Sequence, residues 1–488
     1  MPPDDASAKH PASPSPLTYR IALVAIFVVG LIARGVIAPL TPGFVHPDEH
    51  QQYVEFPFGL VHGYNVQYWE QERGIRHYLY PGIVAAAIYV MDAVGASDPL
   101  VQSAVLRTAL SGGVLLGLML FAWRWLNTRK TAAAFCLALM AAASPDLIFM
   151  TTRTLSETAA TIPLLLALWC FEKRPLGAGL LLGAMFAIRL QCAFFLPAIG
   201  LVAIGYDFAS RPPWRQSQTL WLCVGLVISL LLVGAIDYFT FGEWFHTARQ
   251  SVQAQVVEDV ASDFGVEPWY YYLRMIASNV ITASPLLLIA LLVLHRYPLF
   301  SVPAIVFLLG HSVVGHKEFR FIWPLVPIFF LLVSLAFQQL WEQLETRVGR
   351  LSFAAIFGLL FIAGGAWHAR LIQWRPEPSS IGVRTLALVG RQTDVTGVVV
   401  VGMFDYHGGN YFYLRHNVPL DYVPPKFAQR FAAHPQMSEV VNYLIIPESL
   451  SSSFSAWQPE EIGRVEGWGV YRLHPRGAAS GLPVRNRE

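Results

Sequence analysis

"YRIALVAIFVVGLIARGVIAPLTPGFVHPDEHQQYVEF" runs from Tyr19 to Phe56. Up to Leu40 it is apolar for long enough to cross a bilayer, which takes roughly 20 residues as a helix. It then changes character: a proline and two adjacent carboxylates, flanked by histidines, stand where the chain leaves the membrane. Similar apolar runs recur as far as residue 372. The 488-residue chain is 55% hydrophobic and 14% charged, whereas an ordinary soluble protein is about 25% charged. Its mean hydropathy is +0.46. Together these predict an α-helical polytopic membrane protein.

After the first span, apolar segments fall at 81–95, 104–126, 131–150, 155–171, 175–206, 218–240, 274–294, 298–314, 322–342 and 352–372. Arg189 and Gln191 interrupt 175–206, so that segment is expected to be a hairpin with Arg189 at its tip. The basic loops "RWLNTRK" (124–130), "EKR" (172–174), "RPPWR" (211–215), "HRY" (295–297) and "TRVGR" (346–350) should be cytoplasmic. The loop 41–80, Arg153, the polar stretch 242–272, "HKEFR" and the tail then share the opposite face. With the N-terminus inside and the tail outside, the number of crossings must be odd, yet the segments give twelve. Hence 81–95 is expected to be re-entrant, or a further span exists, for a total of about 11–13.

Residues 1–18 form a polar Pro/Ser/Ala-rich arm without the apolar core of a signal peptide, so the first span should remain as an anchor. Residues 19–372 form the membrane domain. In the tail, 373–488, the runs "VTGVVVVGMF" (395–404), "VVNYLIIP" (440–447) and "WGVYRLHP" (468–475) are strand-like, which predicts a small extramembrane α/β domain. Cys136, Cys170, Cys192 and Cys223 lie in apolar segments without metal-ligand spacing. The formal net charge of +2 carries no nucleic-acid signature.

In "HPDEH", Pro47 suits the first position of a helix, and Asp48 and Glu49 suit its first turn. The plain alternative is that they only stabilise a short interfacial helix. At a membrane boundary, however, carboxylates are costly to desolvate and become candidate bases. Asp48, at the second helical position, is expected to be the base, and Glu49, at the third, to cap the helix start. His46 and His50 lack a third convergent ligand, so no metal is expected.

The second cluster is "GHKEFRFIWPLVP" (315–327), at the outer end of another span. Snorkelling cations would account for Lys317 and Arg320 but not for His316 and Glu318 as well. Such a cluster suits a lipid phosphate, which Arg can hold bidentately. "TTRTLSE" (151–157) adds Arg153, and "AIRLQ" (187–191) adds Arg189. "YNVQYWEQERGIRHYLYPG" (64–82) adds Trp69, Glu70 and Arg76, residue types that stack on and hydrogen-bond sugars. Each is individually explicable as structure; their convergence on one face favours a transferase whose donor sugar is carried on a polyprenyl phosphate. The leaving phosphate departs as an anion that cations stabilise, and the acceptor hydroxyl needs a general base.

On "HPDEHQQYVE", "YNVQYWEQERGIRHYLYPG", "RTLSE" and "HKEFRFIWPLVP", spread from Val45 to Pro327, the chain resembles glycosyltransferase family 22 of the GT-C superfamily. Within it, the similarity is to the branch that adds the third mannose in GPI-anchor synthesis. The resemblance implies inverting mannose transfer from a dolichyl or other polyprenyl phosphate, with Asp48 and Glu49 as the catalytic pair. It further implies a membrane-embedded lipid-linked donor, a glycolipid or glycan acceptor, and no cofactor. The chain departs from the family pattern at Glu157, where Asn is common, and after Arg189, where Pro is often found.

The composition of the arm points to a bacterial inner-membrane protein with a periplasmic site; a eukaryotic chain would place the site in the ER lumen. Two other readings remain: the same architecture with another lipid-linked sugar, or a transporter for lipid-linked glycans. A transporter should carry charges through mid-membrane helices and show repeat symmetry.

Overall fold

The computed structural model describes residues 15–66, 68–278, 286–372 and 379–474. The arm before Ser15, the centre of the expected segment 274–294, the start of the tail and Pro475 of the third strand-like run therefore lie outside the described residues.

From the N-terminus come α1 (Pro16–Leu40), α2 (Pro47–His50), α3 (Phe56–His62), α4 (Trp69–Glu72), α5 (Leu79–Ala93) and α6 (Pro99–Asn127). Next are α7 (Thr131–Ala143), α8 (Pro145–Thr151), α9 (Ser156–Cys170), α10 (Pro175–Ile188), α11 (Phe195–Ser210) and α12 (Gln218–Phe241). Short helices α13 (His246–Val252), α14 (Tyr271–Ala277) and α15 (Leu287–Ala290) precede α16 (Pro298–Val313), α17 (Leu325–Gln343) and α18 (Arg347–Leu371).

Among the described residues, α1, α6, Leu190–Ser210, α12, α17 and α18 are long and apolar enough to cross a membrane. Two further pairs qualify as bent units: α7 with α8, at 60°, and Leu287–Arg296 with α16, at 119°. The first bend sits at Ser144–Pro145, where Ser144 Oγ accepts from Leu147 N–H and starts a new helix. The chain is a multi-pass membrane protein. Helices α5, α9 and α10 are apolar but have only 14–15 residues, roughly 22 Å of helix against a hydrocarbon core of about 30 Å.

Segment 175–206 folds as a hairpin. Helix α10 stops at Arg189, whose backbone is extended (φ −147°, ψ 107°), and α11 returns to bring Tyr206 within 5.7 Å of Phe171. Helices α10 and α12 cross at backbone contact: a Cβ on Gly179 would fall 2.1 Å from Leu222 O, and one on Gly225 2.1 Å from Leu176 O. Small residues permit such crossings within a membrane. This contact anchors the hairpin that carries Arg189.

The tail opens with α19 (Ser379–Gly390), which leads to β1 (Val398–Val401), α20 (Asn410–Leu414), β2 (Leu420–Val423) and α21 (Ala428–Ala432). Strands β3 (Tyr443–Pro447), β4 (Pro459–Val465) and β5 (Trp468–Leu473) complete a sheet of order β2-β1-β3-β5-β4. Strand β1 pairs in parallel with β2 and β3, while β5 is antiparallel to both β3 and β4. All four residues of β1 are buried, as expected of a central strand covered on both faces. Val398 and Val400 join a core that includes Phe44, Tyr53 and Phe58 of the first loop, while Val399 and Val401 pack with Phe454 and Trp457.

Polar contacts fasten this sheet unit to the loop after α1. The buried Glu55 carboxylate accepts from Tyr411 N–H and Phe412 N–H, both at 2.8 Å, in the first turn of α20. Ser379 Oγ donates to Phe44 O at 2.7 Å.

Candidate active site

Helix α2 begins as its sequence requires. His46 is the N-cap, its Nδ1 lying 3.2 Å from Asp48 N, and Pro47 occupies the first position. A π turn, Gln51–Glu55, then joins α2 to α3. Consecutive residues on α2 diverge by about 100°, and the carboxylates of Asp48 and Glu49 separate accordingly.

Glu49 points inward and is fully buried. It accepts from Val45 N–H at 3.0 Å and Thr154 N–H at 3.4 Å, and Arg107 Nη2 lies 3.4 Å away. Glu49 thus reaches back to the helix start, one residue beyond the expected cap. Arg107 Nη2 also donates to Gly43 O at 2.9 Å, and Arg153 Nη1 donates to the same carbonyl at 2.7 Å. Asp48 points the other way and keeps 19% of its side chain exposed.

Facing Asp48 is the turn Phe319–Ile322. Arg320 grips Glu318 with two hydrogen bonds, Nε to Oε2 at 2.7 Å and Nη2 to Oε1 at 3.0 Å. Its Nη1 donates to Asp48 Oδ2 at 3.1 Å and lies 3.6 Å from Glu157 Oε1, while Nη2 lies 3.3 Å from His46 Nε2. A neutral imidazole has one acceptor nitrogen. His46 therefore accepts either from Arg320 or from Asp48 N–H, and in the former case Nδ1–H faces Asp48 Oδ1 at 3.4 Å.

Burial alone would raise the Asp48 carboxyl. The His46 hydrogen bond and the charges of Arg320, His46 and Arg76 outweigh burial and hold it well below the usual carboxylate range. Glu318 is likewise pushed down to about 2, with burial overcome by Arg320, His46 and His316. Burial disfavours the Arg320 charge, but Glu157, Glu318 and Asp48 more than compensate and hold its proton more firmly than usual.

The remaining expected residues divide into two sets. Arg189 donates to Ser156 Oγ at 2.9 Å and pairs with Glu157 at 3.0 Å, which brings the hairpin tip to Arg320. Glu70 is buried, accepts from Gln52 Nε2 at 2.6 Å, and has its carboxyl raised chiefly by burial. Arg76 lies 3.8 Å from Glu70; burial disfavours its charge, but the surrounding Tyr53, Asp48 and Glu70 outweigh burial and favour it. It makes no hydrogen bond among the described residues, and its buried Nε is left without a partner. Trp69 is partly exposed at the start of α4.

Lys317 stands apart. Its ammonium is spent on the carbonyls of Val314, Gly315 and Glu267, which tie the turn to the 265–267 stretch and leave no donor for a ligand. His316 contacts Gly265 O at 2.9 Å and Glu318 at 3.2 Å, with its ring on the same stretch. His50 is turned away, stacked on Phe44 and Tyr413 beside Glu55, so it does not converge with His46.

Two participants escaped the sequence reading. Arg107 sits within an apolar segment, where a charge is itself a signal. Glu157, noted only as a departure from a family pattern, is a fully buried partner of two arginines.

Residues 25–415 match the model of the Alg9-like mannosyltransferase family. The chain belongs to that family. It is 24% identical over 352 residues to GPI mannosyltransferase 3 of Debaryomyces hansenii, covering 69% of this chain and 63% of that one. It is 25% identical over 337 residues to GPI alpha-1,2-mannosyltransferase 3 of Xenopus laevis, covering 66% and 61%. The match thus spans less than two thirds of the length of these relatives. The crystal structure of ArnT from Cupriavidus metallidurans bound to undecaprenyl phosphate has a similar fold, with a TM-score of 0.55 at 12% identity, covering 96% of this chain and 100% of that one. The architecture is that of the GT-C membrane glycosyltransferases.

Proposed function

We propose that the protein transfers mannose, with inversion, from a polyprenyl-phosphate mannose to a hydroxyl of a glycolipid or polysaccharide. The observation that carries this function is the pairing of Asp48 with Arg320, a candidate base beside a candidate phosphate ligand. The mannosyltransferase names of the relatives support the sugar. The undecaprenyl phosphate bound to a protein of the same fold supports a polyprenyl carrier.

The donor phosphate enters between Arg76, whose donors are open, and Arg320, whose donors are occupied by Glu318, Asp48 and His46. Its negative charge draws Arg320 away from Asp48. The freed carboxylate becomes a stronger base and takes the proton of the acceptor hydroxyl. The hydroxyl oxygen bonds to the anomeric carbon while the bond from that carbon to the phosphate oxygen breaks. The electron pair leaves with the phosphate, whose charge the two arginines stabilise. Trp69 supplies an apolar face for a sugar ring.

The site faces the lumen in a eukaryotic cell and the periplasm in a bacterium, where a cysteine placed in the 41–80 loop should react with an impermeant reagent on intact cells. Reaction only after lysis would reject that orientation. The activity is tested with membranes and radiolabelled polyprenyl-phosphate mannose. Label moving to a lipid or polysaccharide supports the proposal, whereas transfer only from a lipid-linked pentose or another hexose would reassign the donor.

A further inference from the structure

At the end of the membrane domain opposite Asp48, the final turns of α6, α9 and α11 and the start of α16 enclose a cavity of about 250 Å³. Helix α6 reaches both faces, with Arg107 beside Glu49 and Arg124 on the cavity wall. At 1.5 Å per residue they are about 25 Å apart, close to the thickness of a hydrocarbon core.

Three cations line the cavity, Arg124, Lys130 and Arg296, against the single carboxylate of Glu172. Arg124 is paired with Glu172 and also donates to Trp169 O at 3.2 Å. The other two have neutral partners among the described residues. Lys130 Nζ donates to Tyr297 OH at 3.2 Å, and Arg296 Nη1 donates to Gln339 Oε1 at 3.0 Å. The cavity therefore carries net positive charge. Basic loops that orient a membrane protein need only reach head groups, whereas here cations from two loops far apart in sequence, 124–130 and 295–297, converge on one space.

An apolar groove adjoins that space. Tyr206 and Pro298 also border a groove of about 620 Å³ between α11 and α16, with Leu201, Val202, Gly205 and Val302. A Cβ on Gly205 would meet nothing within 4 Å, so the groove is open along α11.

We propose that this face holds one anionic phospholipid of its own leaflet, with its phosphate among Arg124, Lys130 and Arg296 and one acyl chain in the α11–α16 groove. Guanidinium groups match phosphate bidentately, and basic pockets between membrane helices suit anionic head groups. The apolar groove beside the charged cavity, sharing Tyr206 and Pro298 with it, favours a lipid over a soluble phosphate.

The test is native mass spectrometry of the full chain in mild detergent with phosphatidylglycerol, phosphatidylcholine or glycerol 3-phosphate. One phosphatidylglycerol should be retained, phosphatidylcholine roughly tenfold less, and glycerol 3-phosphate not at all. The Lys130→Gln/Arg296→Gln double variant should retain roughly tenfold less phosphatidylglycerol, as expected for lost charge-assisted contacts. Gly205→Leu should reduce retention by filling the groove without touching a charge. Arg211→Gln, which removes a cation of a basic loop outside the cavity, should behave as wild type. Undiminished retention by both the double variant and Gly205→Leu would overturn the proposal. So would equal retention of the two lipids, an equal loss with Arg211→Gln, or binding of glycerol 3-phosphate alone.

Discussion

Arg320 Nη1 lies 3.1 Å from Asp48 Oδ2, and 272 positions of sequence separate the two residues. The contact joins the first loop after α1 to the turn before α17, so the candidate base and the candidate phosphate ligand belong to one electrostatic unit. In this structure that unit is closed on itself, because Arg320 also holds Glu318. In the proposed mechanism a donor phosphate opens it.

Replacing Arg320 therefore affects two steps. Arg320→Ala should lower kcat/KM for the lipid donor by the loss of charge-assisted contacts, about 1.5–3 kcal/mol or more than tenfold. Arg320→Lys should restore only part, since an ammonium cannot reproduce the planar fork. Steady-state kinetics at limiting donor check this, and full activity of Arg320→Ala would remove the phosphate role.

Arg76 separates ligand binding from stability. It makes no hydrogen bond among the described residues, so Arg76→Gln should shift the melting temperature little while lowering kcat/KM for donor about tenfold, one charge-assisted contact. Thermal melting and donor titration on the same preparation check it. A large drop in melting temperature with unchanged kinetics would make Arg76 structural.

The pH dependence follows from the direction of the Asp48 shift. Its carboxyl is depressed in the free protein, so it stays ionised on the acid side and kcat/KM should be flat down through the ordinary carboxylate range. With Arg320 drawn to phosphate the depression weakens and the carboxyl rises, so kcat should fall at a higher pH than kcat/KM does. Coincident acid limbs would contradict a release of Asp48 by donor.

The parts legible in sequence were those carried by local pattern. Apolar length marked the spans, Arg189 marked the hairpin tip, and "HPDE" marked a helix start with diverging carboxylates. The runs holding β1, β3 and β5 were visible because their residues are apolar and mostly β-branched or aromatic. Strands β2 (LDYV) and β4 (PEEIGRV) were not, because both lie at sheet edges with largely exposed or half-buried residues. Pairing over long separations was invisible as well. Nothing local tells Lys317 to spend its charge on carbonyls, or Glu157 to bridge Arg189 and Arg320. Those choices follow from where the hairpin and the 265–267 stretch come to rest.

The central claim is that Asp48 is the base and Glu49 its buried support. Glu49→Gln leaves an uncompensated Arg107 in a dry site, which should cost about 3–5 kcal/mol of stability while each folded molecule keeps measurable turnover. Asp48→Asn keeps the shape and removes the basicity, so it should fold and bind donor yet fail to transfer sugar. The decisive measurement is single-turnover transfer from donor-saturated Asp48→Asn and Glu49→Gln, normalised to folded protein. The account predicts no turnover for the first and measurable turnover for the second. Most of the wild-type rate in Asp48→Asn with none in Glu49→Gln would reverse the assignment, and activity in both would contradict a catalytic role for the pair.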